Sequence, residues 1–256
     1  MQQILFTICG RAGSKGIKNK NIRNFLGHPL ILYTTKAIEL FIEQNPEYNC
    51  EIALSTDSLP MQEIVAKHHK GKIEIIDRPI DLAGDFIAKS EVIAHALETM
   101  EKLKDKKYTL IIDLDITAPL RKVQDIKKLV EKSINSEYEV VFSVVGSRRN
   151  PYFNMVQKED STGGYKRVVS SNFVARQQAP TIYDMNASMY AYKRGFFLDK
   201  KGIFDTKCGI IEMLDTAVLD LDHEADFELL EVLAEFFYKK DPEFKEIYDK
   251  VKQEYK

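Results

Sequence analysis

Cysteine is scarce in this chain, and Cys9, Cys50 and Cys208 have neither metal-binding nor redox spacing. An odd count without a paired motif argues against a disulfide scaffold and against catalytic thiol chemistry. It predicts reduced, mostly buried thiols in a cytoplasm. Long apolar runs are missing too. No stretch approaches bilayer-spanning length, and no charged region precedes the short N-terminal apolar run, so neither an anchor nor a secretory signal is expected. Excess charge is also lacking: 37 basic against 39 acidic side chains give a net charge of -2, which leaves nothing to hold a polyanion and argues against nucleic acid as a partner. Internal repeats and low-complexity linkers are not evident. With 256 residues, 44% of them apolar, one globular domain over 1–256 with a small elaboration is expected.

Apolar runs of strand length alternate with segments of helical period, the pattern of an α/β fold with a mostly parallel sheet covered on both faces. Strands are predicted at 4–9, 51–55, 73–76, 110–114, 140–145 and 188–192. Pro29 is suited to be the first residue of a helix carrying Leu30, Tyr33, Ala37, Leu40 and Phe41. Further helices are predicted over 59–68, 89–103, 123–133 and 225–238. The stretch from Ser147 to Tyr183, with Pro151, Gly163-Gly164 and Pro180, breaks the alternation and reads as an inserted arm.

The first strand ends in Gly10-Arg11-Ala12-Gly13-Ser14-Lys15-Gly16-Ile17-Lys18-Asn19-Lys20-Asn21. Three glycines permit close backbone approach, and the cations concentrate where peptide N–H groups can face an anion. The string is not a P-loop, because Lys15 precedes Gly16 and Ile17 follows it. Nor is it a dinucleotide fingerprint, because its glycines stand at positions one, four and seven rather than one, three and six. A basic loop suited to a nucleoside triphosphate remains, with a solvated Lys-rich turn as the plain alternative. Lys18 fits that alternative best.

Other polar motifs follow strands directly: Ser55-Thr56-Asp57, Arg78-Pro79 and Asp113 to Arg121. Open parallel sheets bind ligands beyond the carboxyl ends of their strands, so these loops are expected to share one crevice with the first. Near the C-terminus, Asp220 and Asp222 are spaced to project to one side of an extended segment, where two carboxylates repel unless a cation sits between them. From the residues alone, Asp222 could equally cap the helix that follows.

Together these blocks resemble the CMP-sialate synthetase family of cytidylyltransferases. Arg11 to Asn21 is similar to its Arg-x-x-Ser-Lys-Gly and Lys-Asn loop, and Leu114 to Arg121 to its Leu-Gln-Pro-Thr-Ser-Pro-Leu-Arg. Arg176 to Pro180, Asn186 to Tyr190, and Asp220-Leu221-Asp222 with Glu224 and Asp226 resemble its later motifs. Asp113-Leu114-Asp115, Arg149 to Asn154 and Tyr183 to Ser188 look most like the branch that activates legionaminic acid. The chain departs from sialate enzymes at Asp115, where they usually carry Gln, at Phe153, where they carry Lys, and at Lys89, where Ser is common.

The resemblance implies a Rossmann-like, nucleotidyltransferase-like sheet and transfer of CMP from CTP to the anomeric 2-hydroxyl of a nonulosonic acid, with release of pyrophosphate. N-acetylneuraminate and pseudaminate are the alternative sugars. A CTP-binding sensor without turnover and an oxidoreductase on a dinucleotide fold are alternatives of other classes. The implied nucleotide site comprises Arg11, Gly13, Ser14, Lys15, Lys20, Asn21, Arg78 and Lys89. Asp220 and Asp222 would hold Mg²⁺, with Mn²⁺ as a substitute. Arg11, Lys20, Asp115 and Asp222 are the catalytic candidates, Asp115 as proton acceptor or ligand of a second ion. The sugar would meet Asp115, Arg176, Gln178, Tyr183 and Asn186, with Arg176 on carboxylate or phosphate and Tyr183 on sugar or on the arm's own packing. The family further implies a homodimer in which residues 147–183 of one chain close the sugar site of the other.

Overall fold

The computed structural model describes residues 1–13, 16–69, 71–84, 86–160, 163–198, 201–217, 221 and 223–254. In chain order its strands are β1 (Gln3–Cys9), β2 (Asn24–Phe25), β3 (His28–Pro29), β4 (Asn49–Thr56), β5 (Ile73–Asp77), β6 (Leu110–Leu114), β7 (Val140–Gly146), β8 (Val156–Lys158), β9 (Tyr165–Arg167), β10 (Tyr183–Lys193) and β11 (Cys208–Glu212). Its α-helices are α1 (Leu30–Gln44), α2 (Leu59–His69), α3 (Lys89–Lys104), α4 (Val123–Ile134), α5 (Glu224–Lys240) and α6 (Pro242–Glu254).

A seven-stranded sheet runs in the order β11-β7-β10-β6-β1-β4-β5, and only β10 opposes its neighbours. The alternation of side chains along β1 shows why both faces must be covered. Ile4, Phe6 and Ile8 enter the larger core with residues of α1, α4, α5 and α6, while Leu5 packs on the opposite face against Ile93, Ala96 and Met100 of α3. Each large aliphatic or aromatic side chain fully buried this way contributes about 1.5–3 kcal/mol. The parallel strands β1, β4, β5 and β6 therefore end at one edge of the sheet, and the loops that follow them converge there.

The six strands and five helices expected from periodicity are present, with three differences. Pro29 is the N-cap of α1 rather than its first residue: its ψ of 130° is still extended, and the helix begins at Leu30. β11 and α6 were not anticipated. β10 is longer than the 188–192 run because it begins at Tyr183, pairs with β7, and is interrupted by a bulge between Met185 and Tyr190. Between β1 and α1, β2 and β3 form a hairpin whose turn places both Leu26 (φ 47°) and Gly27 (φ 86°) in the left-handed region, as a two-residue hairpin turn requires. The 147–183 arm carries a second hairpin, β8 with β9. The three thiols are unpaired and half-buried, less enclosed than expected. Among the described residues, no helix is long and apolar enough to cross a membrane.

Candidate active site

A cleft of about 420 Å³ opens over the ends of β1, β5 and β6. It brings together Arg11, Lys20 and Asn21 from the first loop, Arg78 after β5, Lys89 at the start of α3, and Asp115 after β6. All six were expected from the sequence. Gly13, in the first loop, does not line the cleft and has open space where a Cβ would stand. Ser14, Lys15, Asp220 and Asp222 fall outside the described residues.

The first loop is held by backbone as much as by side chains. Gly10 N–H donates to the Ser55 carbonyl (3.1 Å), Ala12 N–H to Asp57 Oδ1 (2.8 Å), and Asn21 Nδ2 to the Arg11 carbonyl (3.4 Å). A Cβ at Gly10 would come within 2.8 Å of the side-chain ends of Ile116 and Met61, so a larger residue there would have to displace both. Ile17 is buried and anchors the far side of the loop, whereas Lys18 is exposed, as the solvated reading expects.

The same loop is stitched to the C-terminal acidic segment. Lys20 Nζ donates to the carbonyl oxygen of Leu221 at 2.5 Å. Arg23 pairs with Glu224, and Leu26 N–H donates to Glu231 Oε1 (2.7 Å). Leu221 is buried, and it lies between the two aspartates in sequence.

Arg78 is buried and locked to the end of β4, Nη2 donating to the Ser55 carbonyl (2.7 Å) and Nε to Ser55 Oγ (3.3 Å). On the floor of the cleft, Lys89 Nζ lies 2.7 Å from Asp113 Oδ2 and 2.9 Å from Asp115 Oδ2. Asp113 is fully buried and accepts from Thr7 Oγ1 (3.0 Å), while Asp115 Oδ1 accepts from Thr117 N–H (2.8 Å) and Oγ1 (2.7 Å).

These contacts set the protonation states. Burial works against the charge on Asp115, but the Lys89 ammonium and the Thr117 donors outweigh it and hold the carboxyl well below its usual range. Burial likewise opposes the charge on Lys89, yet Asp113 and Asp115 push its pKa well above the ordinary lysine value. Burial and then Asp113 push the Cys9 thiol up, which makes it a poor nucleophile.

The sequence places the residues that hold this floor only within motifs, without their bracing role. Arg121, nearly inaccessible, donates through Nε and Nη2 to the Ala118 carbonyl (3.0 and 2.6 Å) and through Nη2 to the Asp115 carbonyl, so it braces the whole 115–121 turn. Burial lowers its pKa to about 10. Thr117 and Asp57 likewise stand in motifs that follow strands, with no individual role assigned to either from the sequence. The family block ending in Arg121 was the available signal for the first two.

The expected sugar residues are spread over separate places. Arg176 and Tyr183 line a cavity of about 420 Å³ at the root of the arm, where Arg176 Nη2 donates to the Ser147 carbonyl at 2.6 Å. Gln178 turns its Oε1 onto the N–H groups of Val174 (3.0 Å) and Ala175 (3.3 Å). Asn186 is buried and spends its carboxamide on Ser143 Oγ (2.6 Å), Ser188 N–H (3.2 Å) and Met213 Sδ (3.5 Å), shaping the β10 bulge. Within this one chain, Asp115 alone of the five borders the cleft over β1, β5 and β6.

Among the described residues, no group of three or more His, Cys, Asp or Glu side chains could hold a metal. In sequence, Leu221 is flanked by two aspartates, and carboxylates are hard oxygen ligands of the kind that join Mg²⁺ to substrate phosphate. The N-cap of helix α5 is His223, whose N–H donates to Asp226 Oδ2 (2.7 Å).

A model of the family described as Cytidylyltransferase matches residues 5–247. The chain belongs to the cytidylyltransferase family. Among curated relatives of this cytidylyltransferase, the "CMP-N,N'-diacetyllegionaminic acid synthase" of Campylobacter jejuni is 38% identical over 236 residues, covering 91% of this chain and 95% of the relative. The "Post-translational flagellin modification protein B" of Campylobacter coli is 37% identical over 233 residues, with coverage of 91% and 95%. A pseudaminic acid cytidylyltransferase of C. jejuni is 26% identical, covering 90% of this chain and 95% of its own. Among solved structures, a CMP:2-keto-3-deoxy-manno-octonic acid synthetase complexed with CTP superposes with a TM-score of 0.63 at 14% identity, over 92% of this chain and 99% of that one. That likeness supports the fold: an α/β nucleotidyltransferase with a mostly parallel sheet.

Proposed function

We propose that the cleft takes CTP and that the enzyme transfers CMP to the anomeric 2-hydroxyl of a nonulosonic acid, N,N'-diacetyllegionaminic acid, releasing pyrophosphate. The observation that carries this reading is the 2.5 Å contact from Lys20 to the Leu221 carbonyl, which joins the cationic loop to the segment bearing the acidic pair. A triphosphate needs both.

In this reading Arg11, Lys20 and Asn21, with Ser14 and Lys15, hold the phosphates, and Arg78 with the first loop holds the cytidine. Asp220 and Asp222 hold the divalent ion, which when bound would neutralise charge on the phosphates. The 2-hydroxyl oxygen forms a bond to the α-phosphorus and loses its proton to water or to the departing pyrophosphate, while the bond to the bridging oxygen of that pyrophosphate breaks, with no covalent enzyme intermediate. The protein's contribution is alignment of nucleophile and leaving group and stabilisation of charge by fixed cations. In the same reading Arg176 and Tyr183, at the arm root, meet the sugar. Their separation from the cleft lining within one chain supports a homodimer in which the partner's arm completes the site.

The choice of legionaminate rests on the 38% relative, against 26% for the pseudaminic acid cytidylyltransferase and 25% for an N-acylneuraminate cytidylyltransferase of Streptococcus agalactiae. The test is CTP with a panel of nonulosonic acids, scored by CMP-sugar and pyrophosphate with and without Mg²⁺. Highest kcat/KM on N,N'-diacetyllegionaminate is expected. Preference for N-acetylneuraminate or pseudaminate would overturn the sugar assignment, and CTP binding without pyrophosphate release would leave a sensor.

A further inference from the structure

Two carboxylate oxygens converge on a single point at the end of β6, and a lysine occupies it. Asp113 Oδ2 and Asp115 Oδ2 both lie within 3 Å of Lys89 Nζ. Paired carboxylate oxygens aimed at one position are an arrangement suited to a divalent ion bridging to phosphate. Asp113 is inaccessible to solvent, so its charge demands a cation at that place whatever the cation is.

Helix stability does not explain the lysine. Lys89 is the first residue of α3, where the helix dipole disfavours positive charge. The Arg121 guanidinium adds its charge to both aspartates, but it hydrogen-bonds the Ala118 and Asp115 carbonyls rather than either carboxylate, and Arg78 bonds Ser55, so neither stands at the point that Lys89 occupies. Lys89 keeps 34% of its side-chain surface exposed and lines the nucleotide cleft. Its ammonium is thus anchored from below by two carboxylates while still open to a ligand above.

We propose that Lys89 is a tethered counter-cation that occupies a second-metal position formed by Asp113 and Asp115, so that the enzyme recruits its divalent ion through the 220–222 segment alone. Asp113 and Asp115 are then positioning residues that aim the Lys89 ammonium at the phosphate, and Asp115 is neither a metal ligand nor the proton acceptor. The metal-free half of this idea stands on the carboxylate–lysine geometry. The nucleotide half rests on the reading of the cleft as a CTP site.

Mn²⁺ titration of the full-length chain, followed by the EPR signal of free Mn²⁺, separates the two. Without nucleotide, Lys89→Ala is expected to gain one Mn²⁺ site relative to wild type, at least about tenfold tighter than any residual binding there, because the position between the two carboxylate oxygens is vacated, and addition of Asp115→Asn should remove it. Lys89→Met, which keeps the aliphatic stem, should behave like Lys89→Ala, and Lys89→Arg like wild type. With saturating CTP, wild type should bind one Mn²⁺ per nucleotide and Lys89→Ala two. A second ion in wild type that Asp115→Asn eliminates overturns the inference, as does a folded Lys89→Ala or Lys89→Met protein with no added site. Failure of CTP to bind while the nucleotide-free gain persists overturns the proposed function and leaves the lysine's role standing.

Discussion

Replacing Lys20 by methionine removes one charge and keeps the side-chain stem, so it isolates what the ammonium contributes. In the structure that ammonium reaches the Leu221 carbonyl at 2.5 Å from the mouth of the cleft. A hydrogen bond from a charged donor is worth about 1.5–3 kcal/mol, and a unit charge pair about 4 Å apart gains about 4 kcal/mol at the effective dielectric typical near a protein surface. The two overlap, since one ammonium serves both. A net loss of roughly 3–4 kcal/mol in transition-state stabilisation corresponds to a fall in kcat/KM of about 10²–10³-fold. The assay is pyrophosphate release with CTP and the best nonulosonic acid, run across a Mg²⁺ series. Because Lys20 also fixes the carbonyl between the two aspartates, Lys20→Met should raise the Mg²⁺ concentration needed for half-maximal rate, whereas Lys20→Arg should restore part of both effects. A methionine variant within about threefold of wild type, less than 1 kcal/mol, with the same Mg²⁺ dependence would refute the account.

Arg121→Leu should leave the buried Ala118 carbonyl without its side-chain donor, at about 1–3 kcal/mol, while the Asp115 carbonyl keeps its bond from Thr34 Oγ1 (3.0 Å). A lowered melting temperature and faster amide exchange confined to 115–121 are the readouts. Glu39 is buried against Lys36 (2.8 Å) and His69 (2.7 Å); burial opposes its charge, but hydrogen bonds from those partners depress its pKa from 4.5 to about 2. A carboxyl with a depressed folded-state pKa contributes stability above its unfolded value and loses it as pH falls through the folded one, so about 3 kcal/mol should disappear between roughly pH 4.5 and 2. Urea titrations of wild type and Glu39→Gln over that window check this, the variant showing the shallower acid limb. Chelation by EDTA should stop pyrophosphate release, reversibly on adding Mg²⁺, and leave the melting temperature unchanged, because the core holds no metal cluster among the described residues.

The sheet was legible where burial on both faces forces continuous apolar runs, as in β1 and β6, and the cleft was legible because polar motifs follow those strands directly. β11 was not, since Cys208-Gly209-Ile210-Ile211-Glu212 is short and its glycine is demanded by the Tyr138 ring, which a Cβ would meet at 2.4 Å. Helix α6 hides its buried stripe of Phe244, Ile247 and Val251 among charged residues. Lys89 was read as a phosphate ligand, but its partners lie 24 and 26 residues away in sequence, and no local pattern announces such a pairing. Asn186 resembled a sugar ligand because family motifs record identity without direction. Its amide turns inward to support a bulge.

Strand β10 leaves the arm with no independent suspension. Ser147 N–H donates to the Ile182 carbonyl (3.0 Å), so both feet of the arm are fastened to adjacent strands of the central sheet, and the opposite edge of β10 holds Asp115 N–H through the Ser188 carbonyl (3.0 Å). A load applied to the arm is therefore borne by the same ribbon that seats the acidic floor of the cleft. Events at the two ends of this enzyme share one beam.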